Sequence, residues 1–349
     1  MIKNFDETPI KDRLYFAPLQ FPDPTPLNAT TSATTGNDLS PQNNKVYYDK
    51  NLIRLAGPNL IHDQFAKKVT IPKNHGTKME FRGFEPLAKS LTPLTEGVTP
   101  EGGKLDMFTV TATLKQYGYY IALTDLLEMT AIDNNVLEAQ EMLGDQAGRT
   151  LDTITREVIN AGTNVQYAEG QVSSRSALTQ DMKLTVKAIK MAVRTLKKQN
   201  TPRINGKYMG IIGPDLAYDL SEDDEYKDLF KYTDNSSFKN GYLFDLAGVE
   251  FYESSEAKIW ANAGATGSDS KAGDVGSALI IGKDAYAVTD LAGEGMEAII
   301  KQLGSAGTAD ALNQRSTVGW KALKAAVILT NQYMVRVEVG MSTSDHKSN

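Results

Sequence analysis

The sequence has no cysteine, which excludes disulfides, thiol nucleophiles and thiolate metal centres. Histidine is nearly as scarce. His62, His75 and His346 are spread along the chain with no spacing that suggests a metal site or a base–nucleophile pair, and each reads as a surface residue. A serine triad or zinc hydrolase therefore lacks its partners, and no Gly-x-Ser-x-Gly elbow occurs. Long apolar runs are missing too. Residues 278–281 and 325–329 are far too short to span a bilayer, and residues 1–16 lack the apolar stretch of a signal peptide. No membrane partner is expected, and synthesis is expected in the cytoplasm. A net charge of −6 argues against a surface that grips nucleic acid through many phosphate contacts.

What is present is enough for a core: 349 residues, 41% of them apolar, fit two compact lobes or one lobe with large appendages. Residues 1–40 read as an arm. Pro9, Pro18, Pro22, Pro24 and Pro26 hold the chain extended, and a Thr/Ser/Asn-rich stretch follows at 28–38. Ser40-Pro41 starts a helix carrying Tyr47, Tyr48, Leu52 and Leu55, which Gly57-Pro58 ends; a short helix through Leu60, Ile61 and Phe65 follows.

Residues 77–84 and 108–122 alternate as strands, with Val110, Ala112 and Leu114 on one face and Thr109, Thr111, Thr113 and Lys115 on the other. Between them, residues 85–106 hold Pro86, Pro93, Gly97, Pro100, Gly102 and Gly103. The pattern predicts a two-stranded hairpin with a wide tip, which needs a partner surface because isolated hairpins are marginal in water. Residues 97–104 (GVTPEGGK) have a superficial likeness to a phosphate loop. Their spacing is wrong and Leu105 stands where Ser or Thr is required, so they read as a turn.

Thr124 is expected to cap a short helix with Leu126 and Leu127. A long helix is expected between Asp133 and Gly162, with an apolar stripe of Val136, Ala139, Leu143, Ala147, Leu151, Ile154, Val158 and Ala161. Residues 180–300 read as an α/β lobe: a helix at 182–199, a strand at 208–212, a helix opened by Gly213-Pro214, and strands near 248–253, 277–281 and 285–289. A strand at 296–303 and an antiparallel pair at 316–329 and 332–340 close the chain. The acidic run 222–225 reads as a solvated helix start, and Lys187, Lys190, Lys197 and Lys198 as a solvated face. The fold class is α+β, and no catalytic, cofactor-binding or metal-binding residue is assigned.

Arm, hairpin, long helix, α/β lobe and returning strands, in that order, resemble the tailed-phage major capsid proteins with the Hong Kong 97-type fold. Residues 34–40 (TTGNDLS), 91–98 (LTPLTEGV), 150–153 (TLDT), 313–321 (NQRSTVGWK) and 333–338 (YMVRVE) carry the likeness, which runs from about residue 30 to 341. The resemblance implies an N-terminal arm at 1–67, an extended loop at 68–122, a peripheral domain with a spine helix at 123–179 and 301–349, and an axial domain at 180–300.

It further implies a non-enzymatic subunit that closes as pentamers and hexamers into an icosahedral shell, with extended loops over neighbours. Portal and scaffolding proteins are the implied partners, and packaged double-stranded DNA is contacted non-specifically. The subunit belongs in the virion after synthesis in the bacterial host, with no cofactor. Pro93, Glu96, Gly97, Pro100, Gly102 and Gly103 are the expected inter-subunit contacts. The prolines within residues 1–67 argue against an internal scaffolding helix, so that segment is expected to be kept in the mature particle. The alternatives are an encapsulin-like cellular nanocompartment built on the same fold and, from another class, a sugar- or nucleotide-active α/β enzyme.

Overall fold

The computed structural model describes residues 61–72, 74–99, 102–130, 135–231, 243–266, 272–291, 295–305, 310–343 and 346–348. The proline-rich arm, the helix expected from Ser40 and the proposed cap Asp133 lie outside them. Residues 62–66, expected as the end of a helix, form turns leading into strand β1 (Lys67–Ile71).

Strands β2 (Lys78–Phe84) and β3 (Met107–Thr113) form the expected antiparallel hairpin, in register from Lys78 opposite Thr113 to Phe84 opposite Met107. The single strand expected over 108–122 is instead broken at Leu114. There the Leu114 N–H leaves the ladder to donate to the Thr77 carbonyl (2.8 Å), and β4 (Lys115–Thr124) starts in a different sheet. Leu114 is the pivot because its side chain is buried at the hairpin root with Ile71, Ala112 and Ala325. The Thr124 hydroxyl accepts from the Leu127 N–H at 3.3 Å, capping helix α1 (Asp125–Thr130) as expected.

Helix α2 (Asn135–Asn160), about 39 Å long at 1.5 Å per residue, packs on two sheets in succession. Its first half sets Leu143, Ala147 and Leu151 against Val318, Trp320 and Ala322. Gly144 and Gly148 are buried on this half. The second half departs from the expected stripe: Ile154 and Val158 are half-buried and Ala161 is exposed, while Asp152, Thr155, Arg156, Ile159 and Asn160 are buried. The buried face turns because Ile159 meets a different sheet, beside Ile211, Leu279 and Met334.

The five-stranded sheet runs β1, β11 (Tyr286–Leu291), β13 (Arg315–Ile328), β12 (Met296–Lys301), with β4 also paired to β13. The seven-stranded sheet runs β5 (Val165–Tyr167), β14 (Met334–Gly340), β10 (Val275–Ile281), β6 (Tyr208–Ile212), β8 (Val249–Glu253), β7 (Leu243–Leu246), with β9 (Ile259–Trp260) beside β10. Every residue of β6, β10 and β14 is buried, so this sheet is covered on both faces. Helix α3 (Val186–Lys198) buries Ile189, Val193 and Leu196 on it, with Thr185 accepting from the Ala188 N–H (3.1 Å) as its cap. Helix α4 (Pro214–Ser221) opens with Pro214 at its first turn, and α5 (Asp224–Lys231) follows.

The expected pairing of 316–329 with 332–340 does not occur. β13 and β14 lie in different sheets, joined by a tight turn at Asn331–Tyr333. Each pairs instead with one half of a second bent chain: β14 with β10, from Val275 opposite Gly340 to Ile281 opposite Met334, and β13 with β11, from Tyr286 opposite Ile328 to Thr289 opposite Ala325. The result is one long antiparallel ribbon that crosses between the sheets. At the crossing the Gly282 N–H donates to the Tyr333 carbonyl (2.8 Å), and a Cβ there would lie 2.2 Å from Thr201 Cγ2. Sheet membership therefore puts β11 and β12 with β4 and β13, and β14 with the α/β lobe.

Candidate assembly surfaces

The hairpin is built from an alternating sequence whose one apolar face is spent at the root. Met79, Phe81, Ala112 and Leu114 pack there, while the far end exposes Phe84 and Met107. Its last backbone closure is the Glu85 N–H to the Asp106 carbonyl (2.9 Å). Beyond it lies the tip, where Pro93, Glu96, Gly97, Gly102 and Gly103 are all exposed; Pro100 is outside the described residues. Thr95 to Val98 make a turn (Val98 N–H to Thr95 carbonyl, 3.1 Å), and Gly97 takes a φ of +79° that other residues adopt at a cost. The same tip leaves Leu87, Leu91, Leu94, Val98 and Leu105 exposed. Apolar side chains clustered on an irregular projecting segment mark a surface that meets a partner.

A second feature escaped the sequence reading. His62, expected at the surface, is fully buried, with its Nδ1 2.6 Å from Asp152 Oδ2 and its N–H donating to Asp152 Oδ1 at 2.8 Å. Next to it Asp63 accepts from Thr155 Oγ1 (2.6 Å) and from Lys324 Nζ (2.5 Å), which also donates to the Leu151 carbonyl (2.9 Å). The Tyr286 hydroxyl donates to the His62 carbonyl. The turn before β1 is thereby tied to α2, β11 and β13 by buried polar groups. Three groups scattered over 261 residues of sequence separation leave no local signal. His75 is exposed, and His346 is half-buried, with its N–H 3.0 Å from Asp274 Oδ2.

Burial, together with the charges of Asp63 and Asp152, holds the Tyr286 phenol well above its ordinary value of 10.0. The folded state thus keeps this proton to higher pH than the unfolded chain. The stability it confers is fully present below pH 10.0 and is lost as pH rises through the folded value. Urea midpoints measured from neutral pH to above 10.0 should fall less steeply for Tyr286→Phe than for the wild type.

In the seven-stranded lobe Glu338 is fully buried and takes a two-point contact from Arg175 (2.7 and 2.8 Å), whose guanidinium stacks on Trp260 at 3.7 Å. The hydrogen bond to Glu338 raises the Arg175 pKa further. On α2, burial pushes Glu157 up, but hydrogen bonds from Lys258 and Arg156 outweigh it and leave the carboxyl below its ordinary value. Lys187 pairs with Glu169 (2.6 Å) and Lys190 with Glu225, while Lys197 and Lys198 are exposed at the C-terminal end of α3. Among the described residues no group of three or more His, Asp or Glu is placed to hold a metal ion, and no helix is long and apolar enough to cross a membrane.

The sequence profile of a phage capsid protein family matches residues 108–336, from β3 to β14, and so takes in both sheets and the long helix. The chain belongs to the phage capsid protein family. Solved capsids have the same fold at low identity. The cyanophage Pam1 capsid subunit matches over 90% of this chain and 98% of its own (TM-score 0.65, 15% identity). The Ralstonia phage GP4 capsid matches over 81% and 88% (TM-score 0.62, 12% identity). The capsid of Helicobacter pylori bacteriophage KHP30 matches over 98% and 100% (TM-score 0.58, 11% identity). No curated protein sequence matches the chain. As a phage capsid protein the chain is a building block of the head shell, found in the virion, and the family favours this over a cellular nanocompartment.

Proposed function

We propose that this capsid protein has the Hong Kong 97-type arrangement and closes as pentamers and hexamers into an icosahedral head around double-stranded DNA. Its work is contact between copies and not chemistry. The observation that carries this reading is the hairpin: a seven-residue paired stem ending in a tip that exposes five large apolar side chains within a family of shell proteins. In this scheme the hairpin is the extended loop, and Pro93, Glu96, Gly97, Pro100, Gly102 and Gly103 contact neighbouring copies. The five-stranded sheet with α2 forms the peripheral domain. The seven-stranded lobe, with β14 added to it, forms the axial domain. Portal and scaffolding proteins are its assembly partners, DNA is met without sequence preference, and synthesis takes place in the host bacterial cytoplasm.

Electron microscopy of the purified protein, alone and with its scaffold, should show shells, tubes or curved sheets. A monomer at every concentration and salt would overturn the reading. Replacing residues 88–104 with a short Gly/Ser turn should leave melting of the isolated subunit within about 1 kcal/mol of wild type, because changing an exposed loop costs little, while closed shells are lost. Normal shells from that variant would show that the tip is not a contact between copies.

A further inference from the structure

The five-stranded sheet has one face covered by α2 and one left open, and the strand register assigns residues to each. Rows across the sheet share a face. The row Ile300, Val318, Ile121 lies under the helix, as does Met296, Ala322, Tyr117. The alternate rows, Ile299–Gly319–Tyr120 and Lys301–Thr317–Ala122, with Lys321–Gly118 beside them, lie on the open face. There they line a trough of about 700 Å³, rimmed by Ser305, Asp310 and Arg315.

Its floor is bare because Gly118 and Gly319 stand where side chains would rise. A Cβ at Gly118 would lie 2.7 Å from the Trp320 carbonyl, and one at Gly319 2.8 Å from Tyr120 Cβ. Glycines inside strands leave room for another backbone to approach closely. The rim is cationic. Lys321 is paired with Glu297 (3.3 Å), but Lys301 and Arg315 have no ion pair among the described residues.

The hairpin tip has the matching chemistry. It is extended and proline-broken, exposes leucines, and carries Glu85, Glu96, Glu101 and Asp106 against Lys89 and Lys104. It does not serve its own trough. No tip residue lines that trough, every described tip residue from 85 to 106 is exposed, and the seven-residue stem sets the tip about 23 Å from its root.

We infer that the glycine-floored trough on the open face of the five-stranded sheet receives the hairpin tip of a second copy, with Glu96 beside Lys301 and Arg315. The inference rests on the shell-forming reading and names the surface that reading leaves open.

Because the chain has no cysteine, introduced thiols are the only ones present. Glu96→Cys and Thr317→Cys chains, assembled together and oxidised, should give a disulfide-linked dimer of one of each, found in particles and absent from unassembled subunits. Particles that form without this dimer would overturn the trough while leaving the capsid reading intact. A link within one chain, in the monomeric double variant, would also overturn it. Wild-type protein that never forms particles would overturn both. Charge supplies an independent arm: Lys301→Glu with Arg315→Glu should lower particle yield by about tenfold or more, since like charges facing each other across an interface are costly. Adding Glu96→Lys should restore the yield. Unchanged yield in the charge-reversed pair, or no recovery on adding Glu96→Lys, would count against the trough.

Discussion

Leu143→Asp is expected to leave almost no soluble, folded subunit. Leu143 is 1% exposed and sits where α2 meets the five-stranded sheet, with Ala147, Leu151, Val318 and Trp320 around it. A carboxylate there has no cation in that cluster, so it is either buried unpaired or buried neutral after a large pKa shift. Either route costs several kcal/mol, a large share of the 5–15 kcal/mol that holds a typical domain together. Leu143→Ala should be milder, at about 2–5 kcal/mol, because it loses contact and leaves a cavity without burying a charge. Met142, the preceding residue, is 66% exposed, and Met142→Asp should melt like the wild type. Soluble fraction and thermal melting of the three variants give the ranking. Equal behaviour at 142 and 143 would mean that α2 does not bury this face.

The same helix shows how far the sequence could be read. Its apolar stripe was legible through Leu151 because one sheet receives that half, and a straight helix keeps a 3.6-residue period against a flat partner. Beyond Leu151 the partner changes, and the buried residues become Asp152, Thr155, Arg156 and Asn160, whose polarity looks like exposure. Their burial is made tolerable by distant groups: Ser277 Oγ donates to Asn160 Oδ1 (2.7 Å) and Arg156 donates to the Glu256 carbonyl (2.7 Å). Such partners carry no periodicity.

The hairpin was legible because alternation, prolines and glycines are local signals. The break at Leu114 was not, since Val110, Ala112 and Leu114 continue one alternating face across it. β13 and β14 were each legible as strands, yet their separation into two sheets is a choice between competing partners. β10 and β11 offer each of them a ladder, and a tight turn at Asn331–Tyr333 lets the chain cross instead of folding back. For the candidate contact surface, the tip could be read from composition. The trough could not, because Gly118 and Gly319 become neighbours only through the register of β4 on β13.

The buried pair formed by Asp63 and Lys324 sets up the second large effect. Lys324 is 3% exposed and Asp63 9%, so neither charge has water to fall back on. Lys324→Met removes the only cation that bonds Asp63 and leaves the carboxylate with the Thr155 hydroxyl alone. Breaking one side of a buried ion pair typically costs about 3–5 kcal/mol, because the remaining charge is stranded in a poor solvent. Asp63→Leu should cost a similar amount by stranding the ammonium, which would keep only its bond to the Leu151 carbonyl. The double variant removes both charges at once and should be clearly more stable than either single. Its residual loss should be near 1 kcal/mol, for the Thr155 hydroxyl left without its acceptor. Urea unfolding of the unassembled subunit for all four proteins completes the cycle, and the difference between summed single effects and the double effect measures the coupling. A strongly positive coupling would show that the turn before β1 is held to α2 and β13 by this pair. Additive losses would show that Asp63 and Lys324 are each satisfied by other neighbours, and that the segment leading into β1 is held mainly by His62 and Asp152.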